Sequence, residues 1–297
     1  MSDHPTPPFT LDLLPVGDDG AGYRYPQLQK PIKEDTRSGL KFQIYPVCEV
    51  HGKLSSQPEG HSATLLVLAF HFGITNSSKR FKKATIQLRF ADGLHPHDRE
   101  FDPVVDGMSP EGYYNINPTS REVHNTATLG VNVWCSTVMG PMMAQPLSLS
   151  KATTKKLTDR GLVTGSGNLW RGMGDYNAAI FTLDENPQQE DGIPNILTVA
   201  LVLKHAPTAR TFFMYADVDA TAGFLQETKK SLRRFFGGHS EREPFSFCVH
   251  KNAEENAEAI KKVQDGKDFA QTIDENALEK LELDEFVEIH ANAVHKI

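Results

Sequence analysis

Asn168-Leu169-Trp170-Arg171-Gly172-Met173-Gly174-Asp175-Tyr176-Asn177-Ala178-Ala179-Ile180-Phe181-Thr182-Leu183-Asp184, continuing to Gly192-Ile193-Pro194-Asn195-Ile196-Leu197-Thr198-Val199-Ala200-Leu201-Val202-Leu203-Lys204, holds two strand patterns and one of the two tryptophans. In the first pattern Ala179, Phe181 and Leu183 share a face. The second, Ile196 to Leu203, is a continuous apolar run rich in Val and Leu, the pattern of a strand buried on both sides. Asp184 to Pro194 is a polar connection bearing Pro and Gly, too long for a tight hairpin. The stretch therefore reads as core, within a β protein.

Outward from it, strands recur without intervening helices. Lys41 to Val50 is one, with Phe42 and Ile44 on a common face. Thr64 to Phe72 is apolar on both faces and belongs at the centre of a sheet. Ala84, Ile86, Leu88 and Phe90 alternate with Lys83, Thr85, Gln87 and Arg89, as in a strand with one dry and one wet face. The short turn between those two strands predicts a hairpin. Asp92 to Pro118 carries Pro96, Pro103, Pro110 and Pro118 and reads as a long irregular excursion. Leu129, Val131 and Val133 alternate with Thr128, Gly130 and Asn132 in another strand. Met139 to Gly165 gives no clear pattern, being Met-rich first and basic later. Arg210 to Asp217 and Pro244 to His250 complete the strands. Phe224 to Phe236 has Leu225, Lys229, Leu232 and Phe236 near helical spacing, which predicts a short helix stopped by Gly237-Gly238.

The expected fold is mainly β: an antiparallel β-sandwich with long inter-strand loops, an N-terminal extended arm and an acidic, helix-prone C-terminal tail. The expected divisions are an arm over 1–40, a sandwich over 41–250 and a tail over 251–297. In the arm, Phe9, Leu11 and Leu13 suggest an edge strand and Tyr23 and Tyr25 a strap over the sheet.

Charge separates tail from body. The 297 residues have a formal net charge of −7, from 31 Lys and Arg against 38 Asp and Glu. Residues 252–297 hold 12 acids and 5 bases, leaving 26 of each for residues 1–251. A neutral body makes nucleic acid an improbable partner. No apolar run has the length of a membrane-spanning helix. The first residues lack a basic region followed by an apolar core. With Cys48, Cys135 and Cys248 scattered and expected to be buried and reduced, these features predict a cytoplasmic location, with a nuclear alternative.

Motifs of chemistry are few. His95-Pro96-His97 could hold a metal with Asp102 or His124 as third ligand, but a solvated loop explains it better and no metal or cofactor is expected. Gly165-Ser166-Gly167 lacks the glycine two residues before serine that a nucleophile elbow requires. No phosphate-cradling glycine loop occurs. Whether the chain is an enzyme stays open. The leading expectation is an intracellular, non-enzymatic interaction protein with an unknown protein partner. Its interaction patch would be Lys229, Lys230, Arg233 and Arg234, folded under the acidic tail. The alternative is an enzyme or small-molecule binder with an apolar cavity lined by Trp170, Met173, Tyr176 and Phe181.

Several short elements stand out together: Arg80-Phe81-Lys82-Lys83-Ala84-Thr85-Ile86, Asn115-Ile116-Asn117-Pro118-Thr119, Trp170, Glu185-Asn186-Pro187 and Gly192-Ile193-Pro194. In these the chain resembles a group of uncharacterised filamentous-fungal proteins, over residues 64 to about 205. The group has no assigned activity, so the resemblance implies no site.

Overall fold

The computed structural model describes residues 31, 33–37, 40–55, 61–75, 79–131, 147–224, 227–235, 244–249, 253–266, 273–290 and 294–296. Two antiparallel sheets pack face to face, giving the expected β-sandwich. The first runs in the order β1 (Lys33–Arg37), β2 (Leu40–Lys53), β3 (Ser62–Ile74), β9 (Ile196–Lys204) and β13 (Glu288–Ile289), with β5 (Val104–Ser109) also on β9. The second runs in the order β11 (Glu227–Phe235), β10 (Thr211–Phe224), β4 (Lys79–Asp92), β8 (Ala178–Asp184), β7 (Leu147–Asn168), β6 (Gly112–Val131) and β14 (Val294–Lys296), with β12 (Phe245–Cys248) also on β10.

The alternation of β4 holds residue for residue. Ala84, Ile86, Leu88 and Phe90 are all 0% exposed and meet Phe42, Phe70, Leu197 and Val199 from the first sheet. Phe181 and Leu183 join them from β8. β3 and β9 are dry on both sides because the chain's far end covers the outer face of the first sheet. There α1 (Ala253–Gly266) and the segment 273–290 pack Ile273, Leu278, Leu281 and Phe286 onto Val50, Leu65, Val67 and Val202.

Three readings are corrected. β3 and β4 are not a hairpin; they lie in different sheets. Residues 227–235 are not helical; they form an edge strand on β10, where the ladder from Val218–Phe235 to Phe224–Glu227 overrides the local helical spacing. Among the described residues the acidic tail packs its buried side chains on the first sheet and not on that basic strand. The Gly237-Gly238 stop, Phe9 to Leu13 and Tyr23 to Tyr25 lie outside the described residues. Cys48 is buried as expected, Cys248 is exposed, and Cys135 lies outside the described residues.

Candidate functional site: a ribbon and its root

β6 and β7 begin as ordinary members of the second sheet. β7 pairs with β8 from Leu162 to Asn168, and β6 pairs with β14 from Tyr114 to Ile116. Beyond that the two continue together for thirteen rungs, from Thr119 with Asp159 to Val131 with Leu147. Among the described residues no other strand pairs with either of them there. At about 3.4 Å per residue this is a two-stranded ribbon about 40 Å long. Ribbons of two strands without a core are marginal in water, so its persistence outside the sandwich needs a reason.

The residue types along it alternate. Paired positions share a face. One face carries the pairs Val123–Lys155, Asn125–Thr153, Ala127–Lys151, Leu129–Leu149 and Val131–Leu147, apolar in its two outermost rungs. The other carries His124, Thr126, Thr128 and Gly130 with Ser148, Ser150, Ala152 and Thr154. In sequence, the connecting residues 132–146 add Val133, Trp134, Val138, Met139, Met142 and Met143.

At the root the ladder breaks. The register shifts between Ile116 and Thr119, and Asn117 takes a left-handed conformation with φ 47°, which asparagine tolerates better than most residues. Opposite, Gly161 has no room for a side chain: a Cβ would stand 2.7 Å from Ile116 Cγ1. Asn186, 1% exposed, closes the break. Its Nδ2 lies 2.5 Å from Asn117 O, 2.9 Å from Thr119 Oγ1 and 3.2 Å from Asp159 O. The amide orientation is fixed independently, because Asn186 Oδ1 accepts from Gln188 N at 2.9 Å. Asn117 Nδ2 in turn donates to Asp191 Oδ2 at 2.9 Å.

The loop supplying Asn186 and Asp191 is held by Arg80. That guanidinium is 6% exposed and reaches Glu185 at 2.8 Å and Glu190 at 3.1 Å. Burial works to lower its pKa, but the hydrogen bonds and charges of Glu185 and Glu190 outweigh burial and raise it. The loop is also laced to β4 through Glu185 N to Lys82 O and Ile193 N to Phe81 O. A cleft of about 310 Å³ opens beside it, lined in part by Phe72, Phe81, Asn117, Asp191 and His290. The short elements around Arg80, Asn117, Asn186 and Gly192 thus meet at one place. Trp170 lies at the other end of the sheet.

The residues singled out in the sequence scatter. Phe181 is 0% exposed in the core, Trp170 is half-buried, and Met173 and Tyr176 are 93% and 53% exposed. Trp170 is stacked between Arg171, 4.5 Å from its centroid, and Arg89, 5.0 Å away. Burial lowers the pKa of Arg89, the charge of Tyr215 opposing it. Arg171 itself bridges to buried Asp102 at 2.6 Å. His95 contacts Asp92 at 3.2 Å and stacks on Phe101, and His97 is exposed. Of the suggested third ligands, Asp102 is engaged by Arg171 and Asn177, and His124 lies within β6, in the ribbon, paired with Thr154. Among the described residues no group of three His, Cys, Asp or Glu could hold a metal. Lys229, Lys230, Arg233 and Arg234 occupy the edge strand β11.

No protein-family model matches the chain, and no curated protein matches it. Solved structures do match. One is titled a pore forming protein, with a TM-score of 0.33 and 11% identity over 73% of this chain and 89% of that one. Another is the Clostridium perfringens NetB toxin in its membrane-inserted form, with a TM-score of 0.27 and 10% identity over 73% of this chain and 92% of that one. Scores this low fix neither fold nor function. Their titles nonetheless run against the expectations of a cytoplasmic or nuclear interaction protein, of a protein or small-molecule partner, and of cavity or metal chemistry at His95 and His97. Those expectations are withdrawn. No helix among the described residues is long and apolar enough to cross a membrane, which says nothing of strands.

Proposed function

We propose that the β6–β7 ribbon inserts into a lipid bilayer and that several copies, side by side, close a β-barrel pore. The ribbon's thirteen-rung ladder, with its alternating faces, carries the reading. A strand crossing a bilayer needs about 9–11 residues at a tilt of about 45°. A ribbon about 40 Å long at that tilt spans about 28 Å, against about 30 Å of hydrocarbon. Its apolar face suits lipid and its small polar face suits a water-filled lumen. Lys155 lies in the half of the ribbon nearer the body, where a long cationic side chain can reach the headgroups, and Lys151, paired with Ala127, lies nearer the outer end.

The need for several copies follows from the backbone. A lone ribbon in lipid leaves two edges of unpaired N–H and C=O groups, each costing several kcal/mol, so it must join others until no edge remains. Release of a trapped dye from phospholipid vesicles, with single-channel conductance in a planar bilayer, tests this. The expected result is release by the whole chain and none by a variant in which a short turn replaces residues 119–159. Equal release by both, or release by neither across neutral and anionic vesicles, overturns it.

A further inference from the structure

We propose that Asn186 is a positioning residue for the ribbon: its amide ties both strands to the body and sets the direction in which the ribbon leaves it. This rests on the membrane-inserting reading of the ribbon. Three observations carry it. The backbone is interrupted at this point, with Asn117 and Pro118 outside the ladder between the Ile116–Gly161 and Thr119–Asp159 rungs. A two-stranded ribbon attached through such a break would be free to swing. Asn186 spans the break from outside the ladder, with one amide nitrogen facing Asn117 O on one side and Asp159 O on the other. Asn186 is itself immobilised, buried to 1% exposure and carried on a loop that Arg80 fastens to β4 by two carboxylates.

A body that merely needed a buried polar group satisfied would not need one donor shared by both strands of a ribbon extending beyond it. Direction matters for assembly. Every copy must present its edges at the same angle for neighbouring ladders to align. Fixing a loose joint at the moment of association costs backbone entropy of about 1–2 kcal/mol per residue, or about tenfold in affinity. Asn186 meets that cost during folding.

Asn186→Asp keeps the shape and replaces the donating amide by a group that, ionised, only accepts. It would face two carbonyl oxygens and repel both. The test uses nitroxide labels at Thr128→Cys on the ribbon and Gln87→Cys on the outer face of β4, in a chain with Cys135→Ser and Cys248→Ser. Pulsed electron paramagnetic resonance then reads the label separation in the soluble protein, and dye release is measured in parallel. The expected result is a single narrow separation with Asn186 and a broad distribution with Asp. Body unfolding should come at lower denaturant, because the buried carboxylate has no donor in place of the amide's acceptors, and in protein kept below that midpoint half-maximal release should need about tenfold more protein. Thr119→Val, which removes one acceptor of the Asn186 amide together with the hydroxyl's own bond to Asp159 O, is the second variant and should broaden the distribution less.

An equally narrow distribution in folded Asn186→Asp overturns the proposal. Should Asn186→Asp fail to fold, an unbroadened Thr119→Val overturns it instead. Broadening without any release by the parent chain would sink the pore reading and leave the positioning role intact.

Discussion

The body and the ribbon are built from the same ladder and held by different means. In the body every inward position is filled: Phe42, Phe70, Phe90, Phe181 and Phe212 are all 0% exposed, and β3 and β9 are packed from both sides. The ribbon has its hydrogen bonds and no second layer among the described residues. The body therefore owes its stability to burial, and the ribbon's alternation answers to surroundings that the body does not provide. The same strands, β6 and β7, pass from one regime to the other at Asn117.

The sharpest way to break that contrast is to cut into each side. Phe181→Ala should destabilise the body by about 3–5 kcal/mol, a large share of a typical stability of about 5–15 kcal/mol, as read by denaturant unfolding. Wild-type stability for that variant would remove the packed-core half of the comparison. On the ribbon, Leu129→Lys should leave body unfolding within about 0.5 kcal/mol. In a bilayer Leu129, two rungs from the outer end of the ribbon, would bring a charge toward the far interface of every copy, where the penalty falls to about 0–1 kcal/mol, so dye release should be reduced. If it loses body stability and keeps release, the assignment of faces is inverted.

Thr128→Lys, one position along and on the opposite face, sharpens the comparison further. It should keep release and shift the channel's preference toward anions, measured as a reversal potential under a salt gradient. The smallest effect expected is a pH dependence confined to the body. Burial, and then the nearby His290, lower the pKa of His71. Its folded value lies below the unfolded value of about 6.5, so the unfolded chain takes up the proton first. Stability should fall as the pH drops below about 6.5, down to the folded value. His71→Gln should flatten that part of the profile in urea titrations at pH 7 and 5.

The sequence revealed the strands whose periodicity is enforced by a core. β4 and β9 were legible because one or both faces must be apolar. β7 was not: Ser148, Ser150, Thr153, Thr154 and Thr158 leave no hydrophobic signal, since its outer half has no core to meet. β11 was misread as a helix because Leu225, Lys229, Leu232 and Phe236 fall near helical spacing while the partner that settles the matter, β10, is invisible locally. The root was half legible. Its fragments stood out one by one, yet Asn186, a buried amide between a glutamate and a proline, announces nothing until Asn117 and Asp159 are brought beside it.

The covering of the first sheet by residues 273–290 bears on how the protein withstands proteases. Lys53 N is bonded to Glu275 O, Ser55 N to Glu279, and Asn256 clasps the backbone of His51 from both sides. Trimming the chain before Ile273 would uncover Val50, Leu65, Val67 and Val202 as one greasy sheet face. A nick in that covering would expose a face by which copies clump with their own kind. The cuts that the molecule survives should therefore fall elsewhere.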